Sequence, residues 1–433
     1  MNIFSDPAKD TKTSKPKPGS YEWWYFDAVD ENSGLSLVVI FFDGNPFSTR
    51  YIDQLEKLKK LKKLKKLEKL EKLEKLEKLE KLKIAESTNH LSTQGGANVH
   101  ASGFPAISIA VYEHGKTLFY SFEEVSPDRA SFSDSICAGN VGENQFRASV
   151  HNGKWTYELE LNQTLASGEQ FRGWFRFDAN HSQIEGGKWE DGDPPSEDGS
   201  SFLHAWNLVM PAGRMTGEMS LKGPKPFSRT MDGNGYHDHN LGLEPMKDSF
   251  QEWYWGRFHE GDRTFLFYLM HENGEWSHRA WWIRGDGTAE PYVGSIRLQD
   301  PQRNGFNLCS ARKIEGSGEH GRFTIQLDQV LDNGPYYQRF RGRLIATRPV
   351  SKASSGSSGT SAYNHQDWTD TKNLQNEINV EGEELISSIG ICEYIQPGRI
   401  YARSFWPLVK MRIRYPGKPH WVQKSPRLYR WTW

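Results

Sequence analysis

One carboxylic acid stands in company that could keep it from ionising. The run Tyr236-His237-Asp238-His239-Asn240 is bracketed by Gly233, Gly235 and Gly242, and Trp253-Tyr254-Trp255-Gly256-Arg257 follows eleven residues after Gly242. On a strand, side chains alternate faces, so Tyr236, Asp238 and Asn240 share one face and His237 and His239 the other. Trp253, Trp255 and Arg257 form a second same-face set, whose two indoles could close over the acid. Desolvation by such rings raises a carboxyl pKa. A shift of about three units from the usual 3.9, about 4 kcal/mol, would leave the acid protonated near neutral pH. An acid of that kind can protonate carbon. Hydration of an isolated trisubstituted alkene begins so, and passes through a tertiary carbocation that water captures. Indole faces attract a cation, by about 2 kcal/mol or more when dry, and histidine is the usual base to orient the water. The pair His204-x-Trp206 offers one of each on a shared strand face.

Other chemistries find less support. His237 and His239 would point two imidazoles the same way, but zinc takes a third protein ligand and no residue at a defined spacing supplies it, so no metal is expected. Serines are plentiful, yet no Gly-x-Ser-x-Gly elbow lies between a strand and a helix. The plainer alternatives are that Asp238 is an ionised turn carboxylate, that Trp253 and Trp255 are core, and that Arg257 bridges to a carboxylate.

The pattern Gly-x-Gly-Tyr-x-Asp-x-Asn-x-Gly, followed by Pro245, Phe250, Trp253, Trp255 and Arg257, resembles the carotenoid 1,2-hydratase (hydroxyneurosporene synthase) family within the AttH/lipocalin-like superfamily. Further matching pieces are Gly44-Asn45-Pro46-Phe47-Ser48, Asp332-Asn333-Gly334-Pro335-Tyr336-Tyr337 and Gly390-Ile391-Cys392-Glu393-Tyr394. The resemblance implies cofactor-independent hydration of the terminal 1,2 double bond of an acyclic carotenoid of the lycopene or neurosporene type. It also implies that His204 and Trp206 act together with Tyr236 and Asp238. The roles expected are acid for Asp238, hydrogen-bond partner for Tyr236, water-orienting base for His204 and cation stabiliser for Trp206, with Trp253, Trp255, Asn240 and Trp24 lining the substrate. No metal or other cofactor is implied. A non-catalytic lipid or isoprenoid carrier, or another hydration or cyclisation of a polyene, are the alternatives.

Several elements must position these residues. Aromatics make up 13% of the 433 residues and glycines number 40, a Gly-punctuated aromatic composition that favours an all-β chain. Short strands are expected at Tyr21–Ala28, Leu35–Phe42, Ile107–Tyr112, Thr117–Phe122, Gln145–Val150, Lys154–Leu161 and Gln170–Phe177. In the second half they fall at Thr264–His271, His278–Ile283, Phe323–Leu327, Arg339–Ala346 and Met411–Tyr415. Evenly spaced short strands mean barrel or sandwich. The expected fold is therefore two consecutive lipocalin-like β-barrel or sandwich domains, 20–212 and 213–415. A disordered leader (1–19) would precede them and an aromatic, basic tail (416–433) follow, the tail suiting either a membrane interface or a strand-edge cover. The acidic stretch Glu185–Ser200 and the Ser/Gly-rich stretch Ser351–Ser361 read as loops.

One insert interrupts the pattern. Within 53–86, Leu recurs at every third position from Leu55 to Leu82 among Lys and Glu. These are good helix formers, but a period of three drifts about 60° per repeat round a helix, so no coiled-coil seam persists. The 13 Lys and 6 Glu of residues 55–83 conceal an acidic body: net charge is −1 for the whole chain and −8 without that stretch, which disfavours a nucleic-acid partner. Three scattered cysteines, Cys137, Cys309 and Cys392, make no disulfide framework and suit a reducing compartment. With neither signal peptide nor apolar span in the sequence, the expectation is a cytoplasmic protein with peripheral membrane contact, where a greasy polyene is collected.

Overall fold

A computed structural model describes residues 1–13, 17–81, 99–180, 203–319, 321–349 and 383–433; the two expected loops and the end of the insert lie outside these. The strands form two antiparallel-rich sheets, one of 13 strands and one of nine. Leu35–Phe42 is where the alternation places it, and most other expected strands are there with ends extended by a few residues. Met411–Tyr415 differs. A helix, Trp406–Arg412, takes its first two residues, with Pro407 at a helix start where a missing N–H costs nothing, and Ile413–Arg414 extends, pairing with Phe122 and Glu123 of the first sheet.

Both sheets curl. In the first, Phe119 and Phe171 stack at 4.3 Å although their strands are six places apart in the sheet order; in the second, Phe265 meets Phe323 at 4.8 Å across four places. Each curl encloses its own aromatic core. The outer faces of the two half-barrels then pack on one another, so that strands near the middle of each sheet are buried on both sides.

The division between the halves lies later than residue 212. The strand His204–Lys222 runs through that point and pairs with Phe227–Gly242, which pairs in turn with Tyr21–Asp30. The second sheet starts at Phe250, after the short helix Met246–Ser249. Pro211 and Gly213, which flank the expected boundary, instead lie by irregularities inside one long strand: the pairing skips between Asn207 and Met210 and again between Met210 and Gly213.

The first residues are not a disordered leader. Asn2–Phe4 adds a parallel strand beside Ala205–Asn207, Ile3 and Phe4 are buried, and Asp10 has no exposed surface. Apolar Ile3 and Phe4 and the acid Asp10 hold this end of the chain in place. The tail divides. Tyr429 is buried and Trp433 packs on Phe119 at 6.4 Å, whereas Trp421 and Trp431 are 66% and 81% exposed. The insert is helical over Thr49–Lys81. Its base is tied by Arg403 to Asp53 (2.9 Å) and Glu56 (2.7 Å), while Leu61, Leu64, Leu67 and Leu70 are about half exposed, as a drifting period requires. Among the described residues no helix is long and apolar enough to cross a membrane.

Candidate active site

Alternation places Tyr236, Asp238 and Asn240 on the outer face of the first half-barrel, against the second. Asp238 is 3% exposed. Its Oδ2 accepts hydrogen bonds from Trp206 Nε1 (2.6 Å) and Tyr236 Oη (2.7 Å), and its Oδ1 accepts one from Asn240 Nδ2 (2.7 Å).

Trp206 reaches the acid because of a bulge. Two residues, Leu208 and Val209, stand opposite Asp238 alone, between the pairs Asn207–His239 and Met210–His237. The extra residue changes the alternation, so Trp206 faces outward with Asn240 while Met210 faces inward with His237. Bulges often re-aim a side chain beside a functional group; here the consequence is an indole N–H delivered to a carboxyl.

Rings from the second sheet close the other side. Trp255 lies 5.2 Å from Tyr236 and 5.2 Å from Tyr25 between centroids, Tyr268 lies 4.9 Å from Trp206, and Trp281 6.5 Å from Trp206. Trp253 stacks on Tyr268 at 6.4 Å. Burial dominates the electrostatics of Asp238 and pushes its pKa up to about 8. The hydrogen bonds from Tyr236 and Trp206 pull it down, and Glu393 and Asp27 add smaller upward pushes. Neutral donors cannot compensate for lost hydration as a cation would. The nearby cation is already committed: Arg257 is buried against Asp27 (Nε–Oδ1 2.6 Å) and lies over the Tyr236 ring at 5.5 Å, as the structural bridge expected of it.

Four expected residues, Asp238, Tyr236, Trp206 and Asn240, are thus in direct contact, with Trp255 against Tyr236 and Trp253 one ring further out. Two are elsewhere. Trp24 pairs with His239 and stacks on it at 4.4 Å, inside the first half-barrel and away from the acid; its neighbour Tyr25 is the residue opposite Asp238. His204 shares the outer face but stands opposite Gly242, four residues along the strand, about 13 Å away at roughly 3.3 Å per residue. It bonds Tyr21 Oη through Nδ1 (2.6 Å), has Glu244 at 3.8 Å from Nε2, and packs on Phe250. Burial lowers its pKa to about 3, so the imidazole is neutral. Gly242 permits this cluster, since a Cβ there would come within 2.4 Å of the Tyr21 ring.

Sequence reasoning missed Tyr25, Tyr268, Trp281 and a polar chain in which Tyr25 Oη donates to Glu393 (3.1 Å) and Glu393 accepts from Arg339 Nε (2.9 Å). Glu393 lies in the Gly390–Tyr394 segment that matched the family pattern, which was the available signal. Two strands from Asp238, beyond Tyr25, a cavity of about 60 Å³ opens between the halves, floored by Ile40, Phe42 and Ser108 and roofed by Tyr337, Arg339 and Val409.

A family model described as carotenoid hydratase CrtC matches residues 196–356, the span that holds Trp206, Tyr236, Asp238, Asn240, Trp253 and Trp255. A hydroxyneurosporene dehydrogenase of Chlorobaculum tepidum is 24% identical over 369 residues, 79% of this chain and 82% of that one. An acyclic carotenoid 1,2-hydratase of Thiocapsa roseopersicina is 28% identical over 146 residues, 34% of this chain and 33% of that protein. A solved AttH-type structure from Nitrosomonas europaea superposes with a TM-score of 0.49 at 11% identity, covering 87% of this chain and 93% of that one. The resemblance carried by Tyr236-x-Asp238-x-Asn240 is thereby borne out, and with it the class of the protein: an enzyme of the hydro-lyase type, similar to the carotenoid hydratases.

Proposed function

We propose that the chain adds water across the terminal 1,2 double bond of an acyclic carotenoid of the lycopene or neurosporene type, with Asp238 as the proton donor. The observation that carries this is a buried carboxyl with neutral hydrogen-bond donors, no paired cation among the described residues and a pKa near 8. Both lone pairs of Oδ2 are engaged by Trp206 and Tyr236, so the transferable proton resides on Oδ1. It goes to C2 of the alkene, the π pair forms the new C–H bond, and positive charge is left at tertiary C1. The faces of Trp255, Tyr236 and Trp206 stabilise that charge and carry no nucleophile strong enough to trap it. Water attacks C1 and loses a proton to the Asp238 carboxylate, which restores the acid.

His204 fits this scheme differently from the base first expected. A water bonding to C1 must lie within a few ångströms of Asp238, out of reach of a residue four strand positions away. His204 is instead a neutral wall residue that fixes Tyr21 at the end of the same face. The carotenoid chain is far longer than the cavity beyond Tyr25, so its binding parts the seam between the half-barrels along the Tyr21–Tyr25 and Trp253–Trp255 faces.

The test is hydration in deuterated water of lycopene delivered in detergent or vesicles. A 1-hydroxy product carrying one deuterium at C2 is the expected result. Absence of a 1-hydroxy product, both here and in lycopene-making cells, contradicts the substrate; a product without deuterium at C2 contradicts the mechanism.

A further inference from the structure

The inner face of the same strand holds a second cluster, which the hydration chemistry does not use. His237 and His239 have no exposed surface and point into the first half-barrel. Asp10 Oδ2 lies 2.9 Å from His237 Nε2 and Asp10 Oδ1 lies 3.3 Å from His239 Nδ1. The ligand atoms of Asp10, Cys137 and His237 all lie within 4.8 Å of one another.

The other nitrogen of each ring settles what these atoms present. His237 Nδ1 is 2.9 Å from the Tyr25 carbonyl, which can only accept, so Nδ1 carries a proton and Nε2 is the nitrogen that faces Asp10. His239 Nε2 is 2.9 Å from Glu22 Oε1, and a carboxylate oxygen accepts, so Nε2 donates and Nδ1 is the nitrogen that faces Asp10. This is the pattern of metal-binding histidines, where a carbonyl or carboxylate fixes the tautomer from behind. The Asp10 carboxylate, the Cys137 thiol and the His237 imidazole converge on one enclosed point. Asp10 Oδ1, His239 Nδ1 and the nearby Tyr157 Oη are buried and make no hydrogen bond among the described residues.

We propose that Asp10, Cys137 and His237 form a structural zinc site inside the N-terminal half-barrel, with His239 beside Asp10 at its edge. Carboxylate, thiolate and imidazole are zinc ligands, and bonds of about 2.0–2.3 Å place neighbouring ligand atoms roughly 3.3–3.8 Å apart, inside the 4.8 Å that bounds the three ligand atoms here. Binding displaces the Cys137 proton to solvent, and the burial of all three ligands closes the site to substrate, which makes its role mechanical. It staples the first 13 residues to the back of the strand that carries Asp238. Asp10 is 227 residues from His237 in sequence, so no spacing could have announced the set.

The test begins with elemental analysis of the full chain, dialysed without chelator. One equivalent of zinc is expected, along with a lower melting temperature after chelation. The stripped chain is then titrated with Co²⁺, which should give tetrahedral visible bands and a thiolate-to-metal band in the near ultraviolet. The thiolate band should vanish in Cys137→Ser and persist in Cys309→Ser, whose thiol lies in the other sheet. Two results overturn the proposal. One is wild-type chain that neither copurifies with zinc nor takes up Zn²⁺ or Co²⁺ at micromolar free metal; the direct contacts of the two histidines with Asp10 and Glu22 then account for the cluster. The other is a cobalt spectrum unchanged in Cys137→Ser.

Discussion

Five consecutive residues, Tyr236 to Asn240, present two different kinds of buried polar site on their two faces. Outward, one carboxyl meets three neutral donors and a wall of rings, and burial leaves it protonated with a pKa near 8. Inward, two imidazoles meet the carboxylates of Asp10 and Glu22, with Cys137 close by. Asp238 is buried much as the two imidazoles are, with Asn240 partly exposed beside it. What differs is the partner set. Donors without charge leave an acid its proton, and so make a reagent; opposed charges and lone pairs bind each other, or a cation, and so make an anchor. The lesson is that a low dielectric does not by itself create a catalytic acid. Among the described residues no cation compensates Asp238, and Arg257, the nearby candidate, is held by Asp27.

Breaking the outer site should have the largest effect. Asp238→Asn keeps the shape and the ring wall but has no acidic proton, so kcat should fall by about 10³-fold or more, near the upper range for a general acid. Retained binding of lycopene, followed by quenching of tryptophan fluorescence, would separate this from misfolding. Trp206→Phe and Tyr236→Phe each remove one donor from Oδ2. Those donors lower the pKa, so each variant should lose roughly 10–100-fold in kcat, about the cost of one hydrogen bond to a charged group, while the alkaline limb of its pH–rate profile moves up. A limb that moved down would mean the bonds act on something other than the anion.

His204→Gln sharpens the comparison along the outer face. Its ring touches Tyr21 and Phe250, not the acid, so kcat should change by less than about tenfold, well short of a general base's contribution; steady-state rates decide. On the inner face, Cys137→Ser should alter metal content and melting temperature but leave the alkaline limb near pH 8. A separate effect is on stability against pH. Asp238 is protonated in the fold up to about pH 8 and ionises near 3.9 when unfolded. Its contribution to stability therefore falls as pH rises between those values, by at most about 1.4 kcal/mol per unit, and is flat above. Denaturant titrations of wild type and Asp238→Asn across that window should differ in slope.

Much of this was legible because strand alternation is rigid. The shared face of Tyr236, Asp238 and Asn240 follows from a period of two, and so does the pairing of Trp253 with Trp255. What escaped was whatever depends on the partner strand. Trp24 and Tyr25 are adjacent aromatics, and only the register that sets Tyr25 opposite Asp238 tells which one faces the acid. The bulge at Leu208–Val209 has no signature beyond Pro211 and Gly213, which flank the expected domain boundary. Asp10 sits in a polar, Lys-rich opening that looks disordered until its distant histidines are brought to it. Tyr268 and Trp281 belong to the opposing sheet, whose docking angle no local pattern encodes.

The protonation state of one side chain at neutral pH is the quantity on which all else depends. Infrared difference spectra of wild type minus Asp238→Asn, recorded from pH 5 to pH 10, report it directly through the carbonyl stretch of a protonated carboxyl. The account predicts that band at pH 7, with loss centred near pH 8. A carboxylate signal already complete at pH 7, with a midpoint near the ordinary 3.9, would contradict it.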